Sequence, residues 1–354
     1  MNNKKILILT PSAQEFGLGL FYEQAFLELG FRTLRLGVSP VVSRDKFKNR
    51  ILAKFFSTAL RVEKLADVYF QGLLKRAQKF SPNIIIVIRC ETLTGEQVSA
   101  LRRISSDGVF NIYPDSPLAI PSIKNLRTKD SIPKFSGIFT FAQALVPVFY
   151  QLGATTVYYL PFGFDSRTHR PQPAVGRSAK VGYFGTWGDG QEYWLRRVMP
   201  FGLAVYGEGW GRLSYTDPLR RAWTPTTGTR CDFASKIASV DIVFNMVRAE
   251  HGCGHSMKTF EIPACGGFQM TNRTEEQLRF FKEGVDSEYF DSVEELTSKL
   301  EFYIRNPISA ERIARAGLVA SAPHSYVSRA KTLEKLFFGG VFDGHDAGGV
   351  GIDR

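Results

Sequence analysis

A chain of 354 residues with 44% hydrophobic content can bury substantial cores and is long enough for two domains rather than one, and its 29 Phe and 13 Tyr exclude a disordered chain. The opening MNNKKILILTPS has too few apolar residues before Pro11 for a signal peptide or a membrane span, and no other apolar run reaches span length. Cys90, Cys231, Cys253 and Cys265 follow no spacing framework, which favours a reducing, cytoplasmic setting.

Residues 5–10 form a short apolar run, expected as a strand. A loop with Gly17 and Gly19 follows, then a helical stretch over 21–29 and a second strand over 31–36. This is βαβ grammar, but Gly17-x-Gly19 is not a full dinucleotide fingerprint, so it reads either as a ligand turn or as a plain turn into a helix. The net charge is +11 overall, and residues 44–79 supply ten cations against three anions. Apolar residues interleave with them, as in a basic amphipathic helix. It suits either a solvated face packed on its own domain or peripheral contact with an anionic membrane.

Residues 82–88 (PNIIIVI) are a strand covered on both faces, ending in Arg89-Cys90-Glu91. Another over 109–113 ends in Pro114-Asp115. Charged residues at two strand ends define a crevice edge, so Arg89, Glu91 and Asp115 are candidates for acceptor binding or proton transfer. The plainer reading of Asp115 is a turn aspartate. Strands over 137–141 and 157–162 flank a helix over 144–152.

The composition then shifts. Pro171, Pro173 and Gly176 fall in an aperiodic stretch, which places a linker at 166–178 between a Rossmann-like domain at 1–165 and a second at 179–322. The second series begins VGYFGTWGDG from Val181, continues with a strand over 203–206 before GEGWG, and reaches a strand ending at Asn245. A polar glycine loop, a short helix over 258–264 and an apolar run over 268–270 follow. Ser256 and Lys258 at the helix start suit a diphosphate, and Glu261 one turn later can accept two hydrogen bonds from a ribose diol. The bland alternatives are a helix cap at Ser256 and an exposed Lys258/Glu261 pair. The HGCGH segment invites zinc through His251, Cys253 and His255, but single-residue spacing in a glycine loop is a poor tetrahedral template. Helices are expected over 293–305, 310–318 and 326–338, with a disordered tail over 339–354.

KTFEIPACGGFQMT (258–271), followed by Phe281, Gly284, Tyr289-Phe290, Glu295-Leu296 and HSYVSRAKTLEKLF (324–337), resembles the C-terminal domain of the spore-maturation-protein (CgeB-like) glycosyltransferases. These are similar to the group 1 retaining glycosyltransferases. VYYLPFGFD (157–165) fits the N-terminal layout of that group. The resemblance implies an α/β protein of the GT-B fold, two Rossmann-like domains with parallel sheets facing across a cleft. It implies transfer of a sugar from a nucleotide-sugar donor with no metal or further cofactor. By the same resemblance Glu261 holds the donor ribose and Lys258 lies near the diphosphate. Gly185, Thr186 and Trp187 line the phosphates, and Tyr206 and Gly207 approach the base. Asn245, Ser256 and Thr259 complete the donor side, with Gly17, Gly19, Arg89, Glu91 and Asp115 on the acceptor side.

One departure is Cys253, which stands where relatives with an E-x7-E motif carry a first glutamate, and a thiol supplies no fixed charge unless its pKa is strongly depressed. The catalytic set is therefore expected to be Lys258, His255 and Asp115, with Glu250 as a further compensating carboxylate. The expected activity is retaining sugar transfer to a glycan, glycoconjugate or other surface-polymer precursor. A non-catalytic nucleotide-sugar or glycan-binding module is the alternative. Nucleic acid is not an expected partner, since no recognition motif accompanies the basic segment.

Overall fold

A computed structural model describes residues 4–12, 17–38, 63–89, 93–117, 129–173, 176, 178–225, 232–248 and 254–339. The chain divides into two units, one of Met1–Pro161 with Arg329–Arg354 and one of Phe162–Ser328.

The first unit is built on a parallel sheet of β1 (Lys5–Thr10), β2 (Arg32–Gly37), β3 (Ile84–Ile88), β4 (Gly108–Tyr113), β5 (Gly137–Thr140) and β6 (Val157–Tyr159), in the order β2-β1-β3-β4-β5-β6. All five residues of β3 are buried, as a strand clad by helices on both faces requires. The strand order turns between β1 and β3, so the crevice beyond their carboxyl ends is this unit's topological switch point. Helix α1 (Leu18–Glu28) begins three residues before the apolar periodicity does. Gly19 explains this: a Cβ there would lie 2.1 Å from Thr10 Cγ2, so the missing side chain lets the helix start against the end of β1. Helix α2 (Glu63–Phe80) covers the last part of the basic segment, and residues 44–62 lie outside the described residues. Helix α3 (Gly95–Arg103) opens with a capping box between Thr94 and Gln97, and α4 (Val146–Gln151) starts with Pro147 in its first turn.

The second unit holds β7 (Ala179–Phe184), α5 (Asp189–Val198), β8 (Leu203–Tyr206), α6 (Pro218–Arg221), β9 (Trp223–Thr224), α7 (Phe233–Ala238), β10 (Val240–Asn245), α8 (Lys258–Ala264), β11 (Gln269–Asn272), α9 (Glu275–Phe280), β12 (Glu288–Phe290), α10 (Val293–Arg305) and α11 (Pro307–Ser321). Its parallel sheet runs β12-β11-β10-β7-β8-β9, which is the Rossmann order with the switch point between β7 and β10. One face buries Val181, Tyr183, Val205, Ile242, Phe244 and Met270 under α5, α10 and α11. The other packs Phe184, Tyr206, Val243 and Ile262 with α7 and α8. Beyond β11 and β12, Arg273 pairs with Glu283 (2.6 Å), Glu295 (3.0 Å) and Asp291, and Lys299 with Glu283 (2.7 Å), Glu288 (2.8 Å) and Glu295 (3.0 Å).

The last helix, α12 (Tyr326–Phe338), is divided between the units. At its start the Phe164 N–H donates to the His324 carbonyl (3.1 Å) and the Tyr326 N–H to the Phe164 carbonyl (2.9 Å). From Arg329 it belongs to the first unit. The buried Arg329 donates through Nε to the Pro161 carbonyl at 3.1 Å. Phe337 packs on Phe110 at 4.6 Å between ring centroids, and Phe338 on Phe31 at 5.8 Å.

Candidate functional site

At the second unit's switch point, the loops after β7 and β8 continue their ladder. The Gly185 N–H donates to the Tyr206 carbonyl (2.8 Å) and the Trp187 N–H to the Glu208 carbonyl (2.8 Å). Two indoles clamp the pair: Trp210 Nε1 donates to the Gly185 carbonyl and Trp223 Nε1 to the Gly207 carbonyl, both at 2.8 Å. Gly207 has φ +143°, and a Cβ there would sit 2.2 Å from the Gly185 oxygen. Only glycine allows this approach. Thr186 is exposed on the loop. Trp187 donates to Glu192 (2.8 Å) and carries the Arg212 guanidinium 4.0 Å above its ring. Gly185, Thr186, Trp187 and Gly207 are thus brought together at one strand-end turn. Tyr206 is not turned to it. Its ring stacks on Phe184 (4.9 Å, 12°) and its hydroxyl lies 3.2 Å from Ser178, before the amino end of β7. Its backbone, not its side chain, borders the crevice.

Across the switch point, Asn245 ends β10, buried, with Nδ2 3.5 Å from Gln269 Oε1. The following turn is held by Asn272, whose Oδ1 accepts the Val247 N–H at 2.7 Å. Residues 249–253, with Glu250, His251 and Cys253, lie outside the described residues. His255 is fully buried. Its Nε2 accepts the Phe162 N–H (3.0 Å), so the ring proton sits on Nδ1 and is donated to Glu276 Oε2 (2.8 Å). Phe162, Phe260 and Phe280 pack edge-on around the ring. With both nitrogens engaged and no exposed surface, His255 is a structural histidine of this unit rather than the proton-transfer group expected from the sequence.

Ser256 does not cap α8 through its side chain. Its N–H donates to Thr259 Oγ1 (3.2 Å), while its own hydroxyl is buried with no hydrogen-bond partner among the described residues. Thr259 is itself buried and donates to Gln277 Oε1 (3.1 Å), which ties α8 to α9 and removes its hydroxyl from the crevice. Lys258 is half-buried at the first position of α8, and Glu261 lies in the first turn, 9% exposed. The two do not form the exposed pair that was the plainer expectation. Glu261 faces His169 Nε2 at 3.6 Å, a residue from the stretch read as a linker. Burial, with the Glu261 charge added, raises the Cys265 thiol pKa, so Cys265 is an inert core residue.

In the first unit, Gly17 precedes α1 and accepts the Phe21 N–H through its carbonyl (3.0 Å), and Gly19 packs on β1. Arg89, at φ +62°, ends β3 and pairs with Asp115 beyond β4 at 2.8 Å. The structure therefore joins two of the acceptor-side candidates beyond the carboxyl ends of the neighbouring strands β3 and β4. Glu91 lies outside the described residues. Trp210, Trp223, Asn272 and His169 were not singled out from the sequence. GEGWG marks Trp210 only as part of a turn, and nothing local marks the other three.

Residues 191–335 match the family model described as Glycosyl transferase-like; none of the curated proteins matches. Among solved structures, Anabaena HepE in complex with UDP and glucose is 14% identical, with 94% of this chain and 99% of that chain covered and a TM-score of 0.64. An alpha-glucosyltransferase in complex with UDP-glucose and DNA containing an abasic site is 12% identical, with 94% and 98% covered and a TM-score of 0.65. Sucrose-phosphate synthase from Thermosynechococcus elongatus is 11% identical, with 95% and 98% covered and a TM-score of 0.63. The fold is that of the GT-B glycosyltransferases, and the residues matched by the glycosyl transferase-like model include Lys258 and Glu261.

Proposed function

We propose that this chain, of the CgeB-like branch, moves a sugar from a nucleoside-diphosphate sugar to a glycan, glycoconjugate or other surface-polymer precursor, with retention and without a metal ion. The observation that carries the reading is the second unit's switch point, where a glycine-built turn at 185–187 and the α8 start with Lys258 and Glu261 flank the ends of β7 and β10. HepE and the alpha-glucosyltransferase were solved with UDP-glucose, which favours a uridine donor here.

In this reading Glu261 accepts the ribose hydroxyls and Lys258 faces the diphosphate. Negative charge grows on that phosphate as the sugar gains oxocarbenium character, so a cation aimed there lowers the barrier. The departing phosphate takes the acceptor proton. Arg89 and Asp115 are assigned to acceptor hydroxyls. No helix among the described residues is long and apolar enough to cross a membrane; the basic segment 44–79 is proposed as a peripheral contact with anionic lipid.

A thermal-shift screen with UDP, GDP, dTDP, CDP, ADP and their sugar conjugates, without added metal, tests the donor site. A ligand at a hundredfold over its Kd stabilises by about 2.7 kcal/mol. One base should give a clear shift, Glu261→Ala should abolish it, and Lys258→Ala should mainly lower turnover. Variants that transfer sugar as well as the parent would remove both residues from the site, and no shift with any nucleotide would favour a non-catalytic glycan-binding module.

A further inference from the structure

We propose that His169 is a positioning residue for Glu261, orienting its carboxylate toward the donor ribose; this rests on the assignment of Glu261 to ribose binding. The imidazole is built into a closed turn. The His169 N–H donates to the Asp165 carbonyl (2.8 Å), and the Asp165 N–H donates back to His169 Nδ1 (3.1 Å). The Asp165 carboxylate accepts from Thr168 Oγ1 (2.9 Å) and Arg167 (3.1 Å), which stiffens the same turn. Phe233 packs edge-on against the ring at 5.8 Å and 88°. Only 6% of His169 is exposed.

Because Nδ1 accepts a backbone N–H, the neutral ring carries its proton on Nε2, and that N–H faces Glu261 Oε1 at 3.6 Å. The separation is too long for a formed hydrogen bond. It is short enough for the N–H dipole to set the direction of the carboxylate without using up its acceptor sites. A buried carboxylate is costly unless hydrogen-bonded, and among the described residues no hydrogen bond reaches the Glu261 side chain. A vicinal diol supplies two O–H donors and completes the site. Glu261 is then a carboxylate with its acceptor sites open to the diol, and His169 holds its aim.

The test compares ribose with 2′-deoxyribose. Calorimetric titrations use UDP, GDP and ADP and their 2′-deoxy counterparts on the parent, Glu261→Ala, His169→Asn and His169→Gln. Asn retains an acceptor for the Asp165 N–H, so the turn survives, but offers no donor at Glu261. Gln is long enough to place an amide N–H where Nε2 points. The parent should prefer one ribonucleotide over its deoxy form by on the order of tenfold or more, as expected for hydrogen bonds to a charged group. Glu261→Ala should bring the ratio close to one. His169→Asn should lower it to within about threefold with deoxynucleotide affinity unchanged, and His169→Gln should restore it. If His169→Asn weakens both forms equally, or neither, while Glu261→Ala still collapses the ratio, the positioning role is overturned and the ribose assignment stands. A ratio insensitive to Glu261→Ala, or no binding of any pair by the parent, overturns both.

Discussion

Arg89 adopts a left-handed backbone (φ +62°) with a side chain committed to Asp115, a conformation that costs a non-glycine residue about 1–2 kcal/mol. Such strain persists where the surroundings impose it and clusters at functional strand ends. Arg89→Gly relieves the backbone and Arg89→Ala does not, while both delete an exposed ion pair worth little by itself. In urea titrations the glycine variant is therefore expected to be more stable than the alanine variant by about 1 kcal/mol, although both should lose transfer activity if the pair serves the acceptor. At this scale the sequence marked Arg89 and Asp115 because they end apolar runs, and Lys258 and Glu261 because they share a helix turn. It could not mark His169, which meets Glu261 only through the fold, nor distinguish His255 as structural, since its partners Phe162 and Glu276 lie in other segments.

Among elements, long apolar runs such as β3 declare themselves, whereas the two-residue β9 and three-residue β12 carry no period and went unread. The same holds for the charge network beyond β11 and β12, whose members are scattered through the sequence. Partial burial, the largest single influence on Glu295, raises its pKa, but hydrogen bonds from Arg273, the Asp291 N–H and Lys299 outweigh it and hold the carboxyl at about 2, against an ordinary 4.5. Glu283 is likewise lowered against burial, by Arg273 and Lys299. A carboxyl whose folded pKa lies below its unfolded one contributes stability that is fully present above the unfolded value and lost as pH falls through the folded one. Thermal melts should therefore show the stability these carboxyls contribute falling between pH 4.5 and about 2, and Arg273→Ala should flatten much of that dependence while lowering stability at neutral pH. A melting profile equally steep in the variant would mean that other groups govern the acid limb.

For the whole molecule, two Rossmann-like halves were legible from recurring strand-loop-helix grammar and a composition shift near residue 165. The destination of the last helix was not, because an amphipathic helix bearing Phe337 and Phe338 does not say which core it seeks. It finishes the first unit, so Phe337→Ala should lower that unit's stability by about 2 kcal/mol, as for a partly buried large-to-small change, seen as a shifted first transition in urea when each unit is followed separately. An unchanged transition would mean the helix merely rests there. The arrangement also shapes biosynthesis. At about 5–20 residues per second, a ribosome needs on the order of 10–30 s to make the 167 residues of Phe162–Ser328 after releasing the first strand layer. During that wait Phe31, Phe110 and Phe139 stand without their closing helix, a chaperone-sized interval written into the order of the segments. A message cut short before Arg329 yields a nascent protein whose first unit lacks the aromatic cover of Phe337 and Phe338 and so advertises Phe31, Phe110 and Phe139 to the quality-control machinery.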